Sequence, residues 1–190
     1  MAWIVLGVIL FLIIALVVIY AKTYNKLVKL KNAVENTWAQ VDVELKRRFD
    51  LIPNLVETAK GYMKHESEVL TAITQARSGI ASTKGPGGSK ADRMAAESAM
   101  SGALAKFQLA IEAYPELKAD RQMNQLMGEL ASTENSIAGK RSTYNNTVNA
   151  MNTAVESFPT NIIAGMFNFE KAQYFKVEVA EEREAPKVSF

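Results

Sequence analysis

A run of twenty apolar residues at the start of the chain constrains the fold most. Residues 2–21 read AWIVLGVILFLIIALVVIYA, with no charged residue and no proline. As an α-helix this run is roughly 30 Å long, which matches the hydrocarbon core of a bilayer. We therefore predict a transmembrane helix over residues 1–21. The rings of Trp3 and Tyr20 lie near the two ends of this helix, where aromatic rings favour the headgroup layer. The full set of anchoring residues is Trp3, Leu6, Leu10, Phe11, Leu16, Tyr20 and Lys22.

A cleaved signal peptide is the alternative interpretation of this run, and it fits less well. No Lys or Arg precedes the run, and the run is longer than the roughly 7–15 apolar residues of a signal peptide. Residues 19–21 read IYA, which is a poor cleavage site because its first residue is large. We therefore expect the segment to remain as an anchor.

The charges that flank the run are asymmetric. Lys22, Lys26, Lys29 and Lys31 follow it before the first acidic residue, Glu35, whereas no Lys or Arg precedes it. Lys and Arg close to a span hold their side in the cytoplasm and are attracted to anionic lipids. We therefore expect an exterior N-terminus and a cytoplasmic domain, with the lipid bilayer as the first partner.

The composition excludes several function classes. The net charge is +2 and no basic, aromatic-rich patch is present, so the sequence predicts no nucleic-acid partner. The chain has no Cys and a single His, His65, which we interpret as a surface or interface residue of a helix. The Glu-x-x-His pattern of di-iron bundles is absent because residue 62 is Tyr. We predict no cofactor and no metal.

The remainder of the chain has apolar residues at helical spacings of three and four. Four helices are predicted: one after the anchor, one whose apolar stripe runs from Leu55 to Ala76, one from about Ala91 to Glu112, and one from about Glu116 to Ser157. The apolar stripe of the first helix contains Leu27, Leu30, Val34, Trp38, Val41 and Leu45. That of the second contains Leu55, Val56, Ala59, Met63, Val69, Leu70, Ile73 and Ala76. That of the fourth contains Leu117, Met123, Leu126, Leu130, Ile137, Tyr144, Val148, Met151 and Val155.

Breaks between these helices are marked by turn residues. Residues 82–89 (STKGPGGS) predict a flexible loop, Pro115 predicts a helix start, and Phe158-Pro159 predicts a helix end. At residues 51–54 (LIPN) a kinked helix and a turn are both consistent with the pattern. We favour a turn, with Asp50 as N-cap and Pro53 in the first turn.

The fold class that follows is all-α. A single N-terminal transmembrane helix continues without a linker into a long antiparallel four-helix up-down bundle over residues 22–158. The fourth helix is longer than the first, so we expect either a break, at Gly139, or contact of its last turns with the headgroups.

The C-terminal segment, residues 159–190, contains an apolar part and a charged tail. Residues 160–175 (TNIIAGMFNFEKAQYF) could lie in the membrane interface, fold back on the bundle, or contact another subunit. Residues 177–190 are charged and are interpreted as an extended arm. The sequence alone does not select among the three positions of residues 160–175.

Specific motifs make the chain resemble the LemA family. They are Tyr24-Asn25-x-x-Val28, residues 45–56 (LKRRFDLIPNLV), His65-Glu66, Ala76-Arg77, residues 114–118 (YPELK), Glu134, Arg141-x-x-Tyr144-Asn145, Asn152 and Phe158-Pro159. The resemblance covers nearly the whole chain. It implies a bacterial inner- or cell-membrane protein with one span, an external N-terminus and a helical bundle, and it implies no enzymatic activity. Because a magnetosome protein is similar to this family, the resemblance also implies a membrane-organising role.

The motif residues are interpreted as structural or docking residues. Two pairs of motifs should meet in an antiparallel bundle: Tyr24-Asn25 with Tyr144-Asn145, and residues 47–50 with residues 112–116, where arginine and carboxylate groups could pair. The full set is Tyr24, Asn25, Arg48, Asp50, Pro53, Asn54, Tyr114, Pro115, Glu116, Arg141, Tyr144, Asn145, Phe158 and Pro159.

The sequence therefore predicts a non-enzymatic, membrane-anchored scaffold that self-associates as a homo-oligomer. Small and sulfur-containing residues between Met94 and Ala103, which include Met100, are expected on the surface, where they would let helices of neighbouring subunits approach. The alternatives are a monomeric adaptor that docks an unidentified protein at the distal turns, for example at Arg48 or Glu116, and an enzyme. No residue has an evident activating partner for catalysis.

Overall fold

Every regular element in the described part of the chain is an α-helix. The structure, a computed structural model, describes residues 1–63, 66–84 and 88–176. Its helices are α1 (Ala2–Lys60), α2 (Ser67–Ser82), α3 (Lys90–Ile111), α4 (Pro115–Ala119), α5 (Arg121–Glu156) and α6 (Thr160–Met166). The predicted all-α class is confirmed. His65 and the charged arm at residues 177–190 lie outside the described residues, as do Gly85, Pro86 and Gly87 of the predicted loop.

The chain divides into two compact units. Unit 1 contains Met1–Val41 and Gly139–Tyr174, and unit 2 contains Asp42–Ala138 with Phe175 and Lys176 among the described residues. The predicted domain boundaries at residues 21 and 158 remain predictions. Helices α1 and α5 each contribute residues to both units.

Helix α1 is the one described helix that is long and apolar enough to cross a membrane. It runs for 59 residues without interruption. The prediction that the apolar segment continues into the following helix without a linker is confirmed. The amphipathic stripe after the anchor is also confirmed, because Leu27, Val34, Val41 and Leu45 are buried.

The predicted turn at residues 50–54 is wrong. Pro53 lies inside α1, and Asp50, the predicted N-cap, is an exposed helical residue that pairs with Lys46 at 3.0 Å. The first break comes later, where Met63 N–H bonds to the carbonyl of Ala59, and α2 then begins at Ser67. The residues predicted to form one second helix therefore belong to the end of α1 and to α2.

A residue of α2 explains why Pro53 does not break α1. Proline has no N–H, so the carbonyl of Phe49, four residues earlier, loses its partner within the helix. Arg77 Nε donates a long hydrogen bond of 3.5 Å to this carbonyl. The Arg77 guanidinium also lies 4.1 Å from the centroid of the Phe49 ring, a cation–π distance. Arg77 thus supplies the donor that Pro53 lacks.

The ends of α2 and α3 agree with the predicted loop between them. Helix α2 ends at Ser82, and α3 begins with a capping box in which the Ser89 hydroxyl accepts from the Asp92 N–H at 3.1 Å. The Asp92 carboxylate in turn accepts from the Ser89 N–H and hydroxyl. These hydrogen bonds lower the pKa of Asp92, because they stabilise its charged form.

The predicted fourth helix is interrupted, but not at Gly139. Pro115 starts the short helix α4, as predicted, and α5 begins at Arg121 after the extended residue Asp120. Asp120 caps α5, because its carboxylate accepts from the Met123 N–H at 2.8 Å. The Tyr62 hydroxyl donates to the same carboxylate at 3.2 Å, which raises the pKa of Tyr62. Helix α5 then continues through Gly139 to Glu156.

Each unit has its own apolar cluster. The cluster of unit 2 is formed by residues of α1, α2, α3, α4 and α5, including Ile52, Leu55, Ile73, Phe107 and Leu130. The cluster of unit 1 contains Leu27, Ala154, Ile163 and Ala164. Burying one such large side chain contributes about 1.5–3 kcal/mol, so these stripes are the main source of stability.

A double-mutant cycle tests whether Arg77 compensates for Pro53. We expect Arg77→Ala to lower the free energy of unfolding in the natural background, because the Phe49 carbonyl then lacks a partner. In the Pro53→Ala background the introduced alanine supplies an N–H of its own, so Arg77→Ala should cost about 1 kcal/mol less there. Denaturant unfolding in detergent, followed by circular dichroism, measures both differences.

The exposed Arg47→Ala variant is the matched control, with an expected change within about 0.5 kcal/mol. If Arg77→Ala costs the same in both backgrounds, Arg77 acts through ring stacking or packing and not through the Phe49 carbonyl.

Candidate functional site

The apolar N-terminal segment presents its side chains outward along its whole length. Trp3 is 86% exposed and Phe11 is 70% exposed. A continuous apolar surface of this size is unfavourable in water, because each Å² removed from water contributes roughly 25 cal/mol. Exposure is shared by all the predicted anchoring residues, namely Trp3, Leu6, Leu10, Phe11, Leu16, Tyr20 and Lys22.

Unit 2 contains a buried ionic cluster centred on Arg48. The Arg48 guanidinium donates to the carboxylate of Glu97 at 2.5 Å and to the carboxylate of Glu134 at 2.7 Å. It also donates to the Glu97 carbonyl at 3.2 Å and to the Ser101 hydroxyl at 3.0 Å. Arg48 and Glu97 are both fully buried. We call Arg48, Arg93, Glu97 and Glu134 the ionic cluster.

A second arginine completes the ionic cluster. Arg93 Nε lies 2.8 Å from Glu97, an ion pair without hydrogen-bond alignment, and its guanidinium lies 3.4 Å from Asp42. The Glu97 carboxylate is therefore placed between two guanidinium groups. Removing one partner from a buried ion pair costs about 3–5 kcal/mol, because the other charge is left uncompensated. The cluster joins α1, α3 and α5 through directional bonds.

The position of Arg48 corrects the prediction for the motif at residues 47–50. We expected carboxylates at residues 112–116 as its partners, but Arg48 pairs with Glu97 and Glu134, and Glu112 pairs with Lys118. A fully buried Arg48 also offers no surface for a docking partner. The neighbouring motif residues Pro53 and Asn54 are exposed, as are Pro115 and Glu116, while Tyr114 is half-buried.

Residues 172–173 are held against α5 by two motif residues. The Asn152 side chain accepts from the Ala172 N–H at 2.8 Å and donates to the Ala172 carbonyl at 3.0 Å. The Tyr144 hydroxyl donates to the Gln173 carbonyl at 2.9 Å, and the Tyr144 ring packs 5.5 Å from the Trp38 ring. Burial, and then the charge of Glu35, raise the pKa of Tyr144 to about 12.

Tyr24 contacts the same C-terminal segment at another point. Its ring centroid lies 4.7 Å from that of Phe167 and 5.9 Å from that of Phe169. We expected Tyr24-Asn25 and Tyr144-Asn145 to bridge their helices directly. Instead, the ring of Tyr24 and the hydroxyl of Tyr144 contact residues 167–173. Asn25, Phe158 and Pro159 are exposed, and Arg141 and Asn145 are half-buried.

Of the three alternatives for the C-terminal segment, folding back is the one that the described residues show. Ile163 and Ala164 of α6 are buried in the apolar cluster of unit 1.

Several residues of these sites were not predicted, and one expectation about the surface is wrong. Glu97 and Arg93 interrupt the apolar stripe of α3, and a charged residue inside such a stripe is the signal that could have found them. Met94 and Met100, which we expected on the surface, are buried beside them. The exposed side of α3 contains Ala95, Ala99 and Gly102 instead.

Among the residues that the structure describes, no three His, Cys, Asp or Glu side chains are arranged to hold a metal ion. The ionic cluster pairs each carboxylate with an arginine, so its chemistry is that of structural ion pairs.

Comparison with known proteins places the chain among membrane-associated helical proteins. The model of the LemA family matches residues 37–190. Protein LemA of Metamycoplasma hominis is 27% identical, over 86% of this chain and 73% of that protein. Magnetosome protein MamQ 2 of Paramagnetospirillum magneticum is 22% identical, over 88% and 70%. Magnetosome protein MamQ of Magnetospirillum gryphiswaldense is 21% identical, over 86% and 68%.

We expect Glu97→Ala to destabilise unit 2 by about 3–5 kcal/mol, because it leaves Arg48 and Arg93 buried without their shared carboxylate. Glu134→Ala should cost less, since its side chain is 32% exposed and water can replace it. Glu57→Ala, which removes an exposed partner of Lys60, is the matched control and should change little. Denaturant unfolding measures all three. Equal effects of the three substitutions would show that the ionic cluster contributes nothing specific.

The raised pKa of Tyr144 predicts a dependence of stability on alkaline pH. An unfolded tyrosine ionises at about pH 10, whereas Tyr144 in the folded chain ionises at about 12. The stability from the neutral Tyr144 is therefore complete below pH 10 and is lost as the pH rises towards 12. Tyr144→Phe should cost about 1 kcal/mol at pH 8, through the lost hydrogen bond.

The difference in stability between Tyr144→Phe and the natural chain should shrink above pH 9 and change sign before about pH 11.5, because ionisation on unfolding then outweighs the hydrogen bond and phenylalanine cannot ionise. Thermal unfolding across this range measures it. Tyr174→Phe, which removes an exposed hydroxyl bonded to Asn149, is the control. A difference that stays constant with pH contradicts the prediction.

Proposed function

Because the chain belongs to the LemA family, we propose that it is a non-enzymatic scaffold protein anchored in a bacterial inner or cell membrane. The observation that carries the proposal is the continuity of α1. One helix contains the exposed apolar segment and also supplies Leu27 and Ile52 to the apolar clusters of the two units. The names of the relatives, LemA and MamQ, indicate no enzyme activity.

The proposed orientation has the N-terminus outside and the helical domain in the cytoplasm. The four lysines that follow the apolar segment, Lys22, Lys26, Lys29 and Lys31, support it. Labelling of an Ala2→Cys variant in intact cells by a membrane-impermeant maleimide tests it, and labelling only after lysis would refute it.

The proposed form of the domain is an antiparallel arrangement of four helical segments. In unit 2, the packing of α2 against α3 supports it. The ionic cluster adds support there, because it brings together Arg48 of α1, Glu97 of α3 and Glu134 of α5. Cysteine crosslinks between these helices would test the arrangement.

We further propose that the protein self-associates through the exposed side of α3. Ala95, Ala99 and Gly102 lie on one side of this helix, and a Cβ added at Gly102 would meet no atom of the described residues within 4 Å apart from the backbone of its own helix. Small side chains allow the backbone of a neighbouring helix to approach closely. Two of the relatives are magnetosome proteins by name, which supports a role in a larger assembly.

The assembly is tested by extracting the protein with its lipids into polymer nanodiscs and measuring its mass by native mass spectrometry. We expect an oligomer, and we expect Ala99→Arg to reduce it to smaller species, because a long charged side chain blocks the approach of helices. Ala131→Arg places the same side chain on an exposed position of α5 and is the matched control. A monomer in lipid refutes self-assembly. An oligomer that tolerates Ala99→Arg refutes the assignment to α3.

A monomeric adaptor is the second candidate. The exposure of Pro115 and Glu116 at the start of α4 favours it, because these motif residues are available to a partner protein. A photocrosslinker at position 116 that captures a different, identifiable polypeptide would support it, and the absence of any crosslink would argue against it.

A further inference from the structure

Helix α6 has two apolar sides, and only one of them is covered in the chain. Ile163 and Ala164 are buried against Leu27 and Ala154. On the other side, Phe158, Ile162 and Met166 are exposed by 80%, 54% and 63%. Ile162 and Met166 are four residues apart, which places them on one side of α6, and Phe158 precedes the helix.

Phe158 lies in the turn before α6, and the Asn161 N–H bonds to the Ser157 carbonyl at 2.8 Å across this turn. We call Ile162, Met166 and the adjoining Phe158 the outer stripe of α6.

The outer stripe is next to the end of the apolar N-terminal segment. Phe167, which follows Met166, has its ring centroid 5.9 Å from that of Tyr20 and 4.7 Å from that of Tyr24. Tyr20 is the last aromatic residue of the apolar segment, and such rings prefer the headgroup layer. If Tyr20 lies at that level, Phe167 and α6 lie there too.

Charge also favours a lipid surface at this point. Lys22 and Lys26 of α1 are exposed directly after Tyr20, and each lysine near an anionic leaflet contributes about 1 kcal/mol of attraction. An apolar stripe beside lysines is the pattern of helices that lie in the interface of a bilayer.

We propose that α6 is a second membrane contact, whose outer stripe enters the boundary between headgroups and acyl chains of an anionic bilayer beside the point where α1 leaves it. This inference rests on the proposed function of the N-terminal segment as an anchor. It gives the exposed side of α6 a lipid partner, while the opposite side remains in the apolar cluster of unit 1.

Single-cysteine spin labelling of the full chain in phosphatidylglycerol-containing vesicles tests the inference. The chain has no cysteine, so Ile162→Cys and Met166→Cys each carry one nitroxide. Collisions with oxygen report lipid, and collisions with a nickel chelate report water. We expect an oxygen-to-nickel ratio several-fold higher at both positions than at the control Val43→Cys, an apolar residue of α1 that follows the anchor and is 67% exposed. Circular dichroism shows that each labelled variant keeps its helical content.

Two results would overturn the inference. A ratio at positions 162 and 166 equal to that at Val43→Cys places α6 in water. Low collisions with both reagents, together with dipolar broadening, place a second copy of the chain on the stripe. Leu10→Cys separates the inference from its premise, because a water-exposed label there refutes the anchor itself, whereas a lipid-exposed Leu10→Cys with a water-exposed Ile162→Cys refutes only the contact by α6.

Discussion

The continuity of α1 through Pro53 is the constraint on which the other features depend. Arg48, Ile52, Leu55 and Ala59 are all buried, and their spacing of four, three and four keeps them on one side of a continuous helix. A turn at residues 50–54 would rotate Leu55 and Ala59 away from the side that contains Arg48. The ionic cluster and the apolar cluster of unit 2 can therefore share α1 only because the helix passes through Pro53.

The ionic cluster contributes specificity in addition to apolar burial. Apolar side chains alone tolerate sliding and rotation of packed helices, since their contacts have no direction. The Arg48 guanidinium has fixed donor directions, and it bonds to Glu97 and Ser101 of α3 and to Glu134 of α5. A shift of α3 by one residue would move Glu97 and Ser101 away from Arg48, and the buried Glu97 and Arg48 would each lose a partner that compensates their charge. The cluster thus sets the register of three helices.

The sequence predicts well those features that depend on local periodicity and poorly those that depend on distant residues. The apolar stripes, the start of α4 at Pro115 and the end of α5 before Phe158 follow from spacing and from turn residues. The prediction of a turn at Pro53 is wrong because the donor that replaces the missing N–H of Pro53 belongs to Arg77, a residue of another helix. Asp120 was missed although its type favours an N-cap, since the apolar stripe continues across it. The partners of Arg48 could not be assigned, because no local pattern selects Glu97 over Glu112.

The position of α6 follows from contacts on both sides of it along the chain. Before it, α5 ends and Phe158-Pro159 turns the chain, and after it the Asn152 amide holds both backbone groups of Ala172. Between these points Ile163 and Ala164 are buried, and the rings of Phe167 and Phe169 pack on Tyr24. Since the helix is fixed at its start, its middle and its end, Phe158, Ile162 and Met166 cannot turn inwards without giving up these contacts. Their exposure is therefore imposed by the packing of unit 1, and a bilayer beside Tyr20 is the environment that makes it favourable.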